Sequence, residues 1–272
     1  MIKTIITDLD GTLLRSDKKI SKEDLFSLNS CYSNGLSLII ATGRPKGEAL
    51  NLLEPLGINK ISALISNDGF YIDYHSRQYV VGSYMNSDDV EKIQSVLGRK
   101  KECLICTKDN SYLLVRSSTR FIIRQLYNHL KRRRDNIRVI KNIKRLQKEK
   151  IMKIKFFFRV ETKKAEEICN MRYVVNNMNQ CCEILSYNVS KWNAIVNLEN
   201  MKGLDLKSCI FFGDEINDIK CFENLVYTVA MGSSPELIKE KALFVTCDSD
   251  NNGVTYALEH FKNELYKGDS NT

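Results

Sequence analysis

The sequence lacks any long hydrophobic run. None of its apolar stretches approaches the roughly 20 residues that a membrane-spanning helix needs. At the N-terminus the apolar run is short and meets an acidic residue at Asp8, which is not the layout of a secretory signal. We therefore expect a cytoplasmic protein without a membrane partner.

A regular pattern of cysteine or histidine is also missing. The nine cysteines are scattered, and the closest pairs are Cys181 with Cys182 and the C-x-x-C of Cys103 and Cys106. Without a secretion signal, such a set favours free thiols over a disulfide framework. No second cysteine pair or histidine cluster accompanies the C-x-x-C, so we predict neither disulfides nor a zinc site.

Acidic residues are scarce in one basic segment, residues 131–155, where only Asp135 and Glu149 offset the positive charge. Its basic residues are Lys131, Arg132, Arg133, Arg134, Arg138, Lys141, Lys144, Arg145, Lys148, Lys150, Lys153 and Lys155. Such a segment either attracts an anionic substrate or nucleic acid or forms an ordinary solvated face. We favour the solvated face, so nucleic acid is not an expected partner.

The remaining composition is that of a soluble globular protein. A hydrophobic content of 43% and a charged content of 27% supply a core and a solvated surface. The 272 residues are enough for two modest domains.

Buried strands alternate with helices in two parts of the chain. The early part has predicted strands at 3–7, 36–41 and 61–66, helices at 21–34 and 46–55, and a hairpin at 70–81. The late part has predicted helices at 191–200, 216–223, 235–241 and 253–264 and strands at 209–212, 226–230 and 243–246. This alternation predicts a parallel sheet with crossover helices.

The pattern changes between these parts. Predicted helices at 87–100, 119–133 and 161–178 are interspersed with predicted strands at 103–106, 111–116, 151–160 and 182–187. We therefore predict an α/β fold: a Rossmann-like parallel sheet flanked by helices, formed by residues 1–83 and 188–272. An inserted α+β domain spans residues 84–187.

Two carboxylates, Asp8 and Asp10, follow the first predicted strand, and Gly11 permits a tight turn after them. Because the carboxyl ends of parallel strands form the usual ligand-binding edge, both can reach one cavity. Close like charges require a cation or a proton between them. A plain turn is the alternative, while a calcium loop would need later acidic ligands that the sequence lacks.

Two other segments can contact a phosphate. Thr42 and Gly43 follow the second strand and offer a hydroxyl and a close-approaching amide, although alone they are typical of a helix cap. Lys191 opens the helix after the insertion and can neutralise a phosphoryl oxygen, unless it is one more surface lysine.

Acidic residues also follow the strand at 209–212. Asp214 lies at the strand end, and Asp218 lies one helical turn later on the same side. Hard carboxylate oxygens without nearby histidine or cysteine favour magnesium.

Together, the ordered motifs Asp-x-Asp-Gly-Thr, Thr-Gly-Arg, Lys and Gly-Asp-x-x-Asn-Asp resemble those of the haloacid dehalogenase superfamily. The position of the insertion resembles the C2-cap group. Segments 230–236 and 250–254, together with Asn67-Asp68-Gly69, look like the Cof-type branch.

The resemblance implies a role for each motif. Asp8 is the expected nucleophile and Asp10 the expected general acid and base. Mg2+ is expected on Asp8, the backbone carbonyl of Asp10, Asp214 and Asp218. The expected phosphate contacts are Thr42, Gly43, Lys191, Asn217 and the backbone of Leu9.

Three positions depart from the family pattern without removing a catalytic group. Trp192 replaces the usual glycine after the motif lysine, which changes the loop entry. Ser233 replaces a common asparagine, and Cys221-Phe222 replaces a Met-Leu-type pair.

The implied activity is hydrolysis of a sugar phosphate or another small phosphorylated metabolite. The basic segment favours substrates that carry additional negative charge. Two alternatives stay open: a phosphotransferase or phosphomutase acting on sugar phosphates, and a nucleic-acid binder that uses residues 131–155.

Overall fold

The computed structural model describes residues 1–98, 102–108, 110–115, 137–177 and 181–265. The chain folds into two compact units. The first unit comprises Met1–Val81 and Ser190–Thr272, and the second comprises Gly82–Val189. Among the described helices, none combines the length and the hydrophobicity needed to cross a bilayer.

The described strands, in chain order, are β1 Thr4–Thr7, β2 Ser37–Ala41, β3 Ile61–Ser66, β4 Tyr71–Tyr74, β5 Arg77–Val80, β6 Cys103–Thr107, β7 Ser111–Leu114, β8 Ile137–Ile140, β9 Ile151–Phe156, β10 Tyr173–Asn177, β11 Cys182–Ser186, β12 Cys209–Gly213, β13 Tyr227–Ala230 and β14 Phe244–Val245. The described helices are α1 Lys22–Ser33, α2 Lys46–Leu53, α3 Ser87–Leu97, α4 Thr162–Asn170, α5 Lys191–Lys202, α6 Ile219–Asn224, α7 Glu236–Lys239, α8 Gly253–His260 and α9 Lys262–Leu265.

Within the described residues, the first unit has one eight-stranded sheet in the order β14-β13-β12-β1-β2-β3-β4-β5. The strands from β14 to β3 run parallel, and the hairpin β4–β5 adds an antiparallel edge. β1 lies between β2 and β12, so the residues that follow β1 and β12 emerge side by side.

The central strands are buried on both faces because helices cover both sides of the sheet. Ile5 of β1 packs in a core with helices α1, α2 and α8, whereas the next residue, Ile6, packs in a second core with α5, α6 and α7. Successive strand side chains point to opposite faces, so a continuous apolar strand fills two layers. The predicted α/β fold with a parallel sheet is confirmed.

Local sequence signals set the helix ends. Ser21 begins α1 by accepting a hydrogen bond from the Asp24 amide at 2.9 Å. The chain leaves this helix through Gly35, whose φ of +87° lies in the left-handed region that glycine adopts readily.

The second unit has a six-stranded sheet within the described residues, in the order β10-β11-β9-β6-β7-β8. Its neighbouring strands are antiparallel except for the parallel pair β7–β8. One face of this sheet carries Ile105, Ile154 and Ile184, which belong to an apolar core that also contains residues of α3 and α4. The opposite face carries Lys155 and Glu183, which are register partners.

Two predictions for this unit are wrong in detail. The predicted helix at 161–178 ends at Asn170, because Arg172 adopts a left-handed φ of +68°; the chain then forms β10. The β-branched pair Val174-Val175 favours this strand, which pairs with β11. Strand β8 was not predicted, and the predicted strand at 151–160 ends at Phe156.

Two predictions fall wholly or partly outside the described residues: the helix at 119–133 and the first six residues of the basic segment. In the described part of that segment, six basic side chains are exposed, namely Arg138, Lys141, Lys144, Arg145, Lys148 and Lys150. Lys153 and Lys155 instead form ion pairs with Glu183 at 2.9 and 3.1 Å.

Candidate active site

The predicted motifs meet at one edge of the parallel sheet. Asp8 follows β1 and Asp214 follows β12, and these two strands are hydrogen-bonded neighbours. The amide of Asp8 donates to the carbonyl of Phe212 at 3.0 Å, which continues the strand pairing up to the acidic residue. The position of Asp8 is therefore fixed by the sheet itself.

Three carboxylates form a cluster at this edge. One carboxylate oxygen each of Asp8, Asp214 and Asp218 lie within 4.8 Å of one another. Such a set of hard oxygen donors fits Mg2+. The side-chain oxygen of Asn217, beside this cluster in sequence, is buried and accepts no hydrogen bond from the described residues.

Lys191 joins two members of the cluster. Its ammonium lies 3.1 Å from Oδ1 of Asp8 and 2.7 Å from Oδ1 of Asp218. The lysine is only 1% exposed, so it is not one more surface lysine. Burial alone lowers the pKa of this ammonium, but the charges of Asp218 and Asp8 outweigh burial and raise the pKa well above its usual value.

Two carboxyl groups of this cluster, those of Asp8 and Asp214, are harder to ionise than usual. Burial raises the pKa of Asp8 well above its ordinary value; Lys191 opposes this, and Asp218 adds to it. Burial and the charge of Asp218 raise the pKa of Asp214 to about 7. A divalent cation among these carboxylates relieves their repulsion and favours their ionised forms.

Two residues of the first motif determine how closely it approaches Asp214. The Thr12 hydroxyl donates to Oδ1 of Asp214 at 2.7 Å. At Gly11, where φ is +78°, a Cβ atom would overlap the Asp214 carboxylate. Glycine at this position therefore permits both the turn and the close approach of the two motifs.

Asp218 is oriented from its own motif. Its Oδ2 accepts hydrogen bonds from the amides of Asp214 and Glu215 at 3.2 and 3.3 Å. A Cβ atom on Gly213 would lie 2.8 Å from the same oxygen. Asp218 therefore closes the turn between β12 and the next helical segment, which begins as a 3-10 turn and continues as α6.

Asp10 does not share this cluster. Its carboxylate accepts hydrogen bonds from Nε of Arg44 at 2.5 Å, from Nη2 of Arg44 at 2.7 Å and from the Lys18 ammonium at 2.8 Å. Burial raises the pKa of Asp10, but hydrogen bonds from the two cationic side chains outweigh it and lower the pKa to about 2. The side chain expected to share one cavity with Asp8 is thus held by basic residues.

Thr42 and Gly43 are braced by the left-handed turn at 67–69. Asn67 and Asp68 have φ values of +51° and +59°, and the amide of Asp68 donates to the carbonyl of Thr42 at 3.1 Å. A Cβ atom on Gly43 would lie 2.8 Å from the Asp68 carboxylate. Non-glycine residues with positive φ cluster at functional sites, where the surrounding fold enforces them.

Gly69 ties this turn to the lysine motif. With φ of +94°, it lies so close to the carbonyl of Ser190 that an added Cβ would overlap that carbonyl. Ser190 caps α5 by accepting a hydrogen bond from the amide of Asn193 at 3.1 Å. Lys191, the first residue of α5, is positioned by this cap and by the packing of the turn.

Leu9 occupies the interior of the first motif. Its side chain is fully buried, and its carbonyl accepts from the amide of Leu14 at 2.7 Å. Its backbone amide hydrogen-bonds to the Asp8 carboxyl and favours the ionised form of Asp8, which lowers the pKa of that group. The backbone of Leu9 thus lies beside the carboxylate.

Residue types and spacing along the chain give no role to Arg44, Lys18, Thr12 or Asp68. Arg44, Thr12 and Asp68 stand inside the motifs that resemble the family, so their positions carried a signal. Lys18 carried no comparable signal, because its contact with Asp10 depends on a turn with positive φ.

A sequence model of the haloacid dehalogenase-like hydrolases matches residues 5–258. The match spans most of the chain, and the protein belongs to this family. The resemblance predicted from the motifs is thereby confirmed.

Curated relatives of similar length are named as phosphatases. The chain is 22% identical over 269 residues to the HMP-PP phosphatase of Enterobacter sp. strain 638, covering 96% of each protein. It is 26% identical over 290 residues to the 5-amino-6-(5-phospho-D-ribitylamino)uracil phosphatase of Bacillus subtilis strain 168, covering 97% of this chain and 100% of that protein.

Solved structures share the fold. A subclass IIB sugar phosphatase of the superfamily aligns with a TM-score of 0.78 and 22% identity, covering 96% of this chain and 99% of that one. A phosphatase of the superfamily from Bacteroides thetaiotaomicron aligns with a TM-score of 0.79 and 20% identity, covering 96% of both chains.

Proposed function

We propose that the protein is a magnesium-dependent phosphatase that hydrolyses small phosphorylated metabolites through an aspartyl-phosphate. The observation that carries this proposal is the contact of the Asp8 carboxylate with the buried Lys191 ammonium at 3.1 Å, within the three-carboxylate cluster. A nucleophilic carboxylate, a fixed cation and a site for a divalent metal are thereby brought together.

In the first step, an Asp8 oxygen attacks phosphorus while the bond from phosphorus to the leaving oxygen breaks. This attack splits one difficult hydrolysis into two easier displacements. The backbone of β1 and β12 holds Asp8 still, since its amide is part of the sheet pairing. Such fixed positioning supplies much of the catalysis in phosphoryl transfer.

Asp10 is the proposed acid and base. It gives a proton to the leaving oxygen in the first step and takes one from the attacking water in the second. Asp10 lies two residues after Asp8, and its side chain is 38% exposed. With a pKa of about 2, Asp10 is ionised while Arg44 and Lys18 both contact it. The arriving leaving group displaces Lys18, which raises the pKa of Asp10, and Asp10 then takes up from solvent the proton that it passes on.

Magnesium would be held by Asp8, Asp214 and Asp218, together with the backbone carbonyl of Asp10. When bound, it offsets the negative charge of the nucleophile and the phosphoryl group. Thr12 contributes indirectly, since its hydroxyl fixes one oxygen of Asp214.

The proposed phosphate contacts are Lys191, Thr42, Gly43, Asn217 and the backbone of Leu9. Lys191 provides a buried positive charge, and Thr42, Gly43 and the backbone of Leu9 line neighbouring strand ends. The proposed donor of Asn217 is its side-chain Nδ2, because an amide nitrogen can donate to a phosphate oxygen. Preorganised donors of this kind stabilise charge that develops during transfer.

Small phosphorylated metabolites are the proposed substrates. The two curated relatives are, by their names, phosphatases of HMP-PP and of 5-amino-6-(5-phospho-D-ribitylamino)uracil. The inserted unit is proposed to act as the cap expected from the resemblance.

The decisive experiment is release of inorganic phosphate from a panel of phosphorylated metabolites, with magnesium and with EDTA. We expect magnesium-dependent release by the wild type and a loss of at least about a thousandfold in Asp8→Asn. Asp205→Asn is the matched control, because this exposed residue precedes β12 at the opposite end of the strand. Undiminished hydrolysis by Asp8→Asn would refute the mechanism, and phosphate transfer to an added sugar without free phosphate would indicate a phosphotransferase.

A further inference from the structure

Both carboxylate oxygens of Asp10 are held by cationic donors. Arg44 contacts the two oxygens with separate nitrogens, at 2.5 and 2.7 Å, and Lys18 adds a third contact at 2.8 Å. A two-pronged guanidinium contact fixes the plane of a carboxylate as well as its position. The orientation of Asp10 is therefore determined by side chains outside its own motif.

Arg44 is itself firmly held. Its Nη1 lies 3.2 Å from Oε2 of Glu48, and its amide donates to the Thr42 hydroxyl at 3.1 Å. Its carbonyl accepts from the amide of Asn67 at 3.0 Å. The guanidinium is thus a rigid support, with a side chain only 22% exposed.

Lys18 approaches Asp10 from a tight turn. The amide of Lys18 donates to the carbonyl of Arg15 at 2.9 Å, and its φ of +64° directs the chain back. Its side chain is 54% exposed, so it is the more easily displaced of the two partners.

The contrast between Asp10 and its neighbours suggests why these supports exist. Asp8 belongs to the cluster of three carboxylates, and Asp10 follows it by two residues yet is not among the grouped ligands. An unrestrained carboxylate this close is attracted to any divalent cation bound there. A carboxylate whose oxygen ligates the metal can no longer transfer a proton to the leaving group.

We propose that Arg44, assisted by Lys18, is a positioning residue that holds the Asp10 carboxylate outside the metal cluster and directs it to the leaving group. This inference rests on the proposed phosphatase function. When substrate binds, the exposed Lys18 contact gives way first, while the Arg44 fork keeps the side chain from turning towards Asp8.

The consequence is a dependence on the leaving group. As the Asp8–phosphorus bond forms and the phosphorus–oxygen bond breaks, the departing alkoxide takes the proton that Asp10 has acquired from solvent once Lys18 is displaced. The 4-nitrophenolate anion leaves without one, because it is already a weak base. Without the Arg44 fork, Asp10 turns towards Asp8 and no longer serves the leaving group. Loss of Arg44 therefore lowers kcat/KM for alkyl phosphates more than for aryl phosphates.

The test compares kcat/KM for an alkyl phosphate and for 4-nitrophenyl phosphate in the wild type, Arg44→Met and Arg44→Lys. We expect Arg44→Met to lose at least about tenfold on the alkyl phosphate and no more than about threefold on the aryl phosphate. Arg44→Lys, which keeps the charge but loses the fork, should fall between. Arg77→Met is the control, an exposed arginine on the edge strand β5.

Calorimetric titration with magnesium gives a readout that is independent of turnover. We expect Arg44→Met to bind magnesium several-fold more tightly, because Asp10 joins the ligands, and Asp10→Asn in the same background to reverse the gain. Equal losses on both substrates together with unchanged magnesium affinity would overturn the inference. Absence of any phosphatase activity in the wild type would overturn the proposed function instead, and the magnesium titration would still decide the role of Arg44.

Discussion

The ammonium of Lys191 lies 2.7 Å from Oδ1 of Asp218, and both side chains are almost completely buried. The same ammonium reaches Asp8 at 3.1 Å. A fixed positive charge therefore sits among acidic groups before any metal or phosphate arrives. Without it, the ionised carboxylates would repel one another in a poorly solvated site.

Replacing this lysine should weaken both folding and catalysis. We expect Lys191→Met, without metal, to lose about 3 kcal/mol in the free energy of unfolding, since buried carboxylates lose their partner. Phosphate release should fall by at least about a hundredfold, because the charge next to Asp8 is gone. Urea unfolding and a phosphate-release assay measure the two effects. Lys207→Met, at an exposed lysine, is the control, and equal stability of both variants would contradict the expectation.

Removing magnesium should have a pH-dependent effect on stability. The folded-state pKa of Asp214 is raised to about 7 from the ordinary 3.8, so the electrostatic cost of the metal-free cluster is present above pH 7 and is relieved as protons bind below it. Magnesium at a hundred times its Kd stabilises by about 3 kcal/mol. We expect EDTA to lower the melting temperature clearly at pH 8 and little at pH 5.5. An equal shift at both pH values would argue against proton–metal competition at this cluster.

The close approach of the turn at 67–69 to the lysine motif should make Gly69 intolerant of a side chain. Gly69→Ala places a Cβ against the Ser190 carbonyl at φ +94°, and we expect a loss of about 3 kcal/mol or more. Gly35→Ala has a similar φ of +87° but no atom within 4 Å of the added Cβ. This control should lose only about 1 kcal/mol, for the backbone conformation alone. Chemical unfolding of both variants separates overlap from backbone strain, and equal losses would exclude the overlap.

The buried ion pairs of the inserted unit should contribute to stability in a defined pH range. Burial raises the pKa of Glu183, but Lys153 and Lys155 outweigh burial and lower it from the ordinary 4.5 to about 2. A lowered folded-state pKa means that the contribution is present above pH 4.5 and is lost as the pH falls through about 2. We expect Glu183→Gln to cost up to about 3 kcal/mol at pH 7. The cost should shrink steadily between pH 5 and pH 2.

Thermal unfolding across this pH range gives the measurement. The matched control is Glu167→Gln, at an exposed position of α4. A difference from the wild type that does not change with pH would show that Glu183 contributes by packing alone.

Much of the fold could be predicted because local patterns and tertiary packing agree. The apolar runs of β1 and β3 are buried in the sheet as predicted. The segment Tyr173–Asn177 was predicted wrongly, since a short β-branched run after a helix is ambiguous without its partner strand. The segment forms a strand because it pairs with β11.

The sequence by itself determined the family, the parallel core and the acidic motifs, since residue type and spacing along the chain encode them. Tertiary structure alone decided which charges meet: Lys191 bridges Asp8 and Asp218, and Arg44 takes Asp10. Such pairings depend on angles between strand ends and on turns with positive φ, which bring distant residues within about 3 Å. Spacing along a chain specifies neither, so the partner of each carboxylate became known only from the folded arrangement.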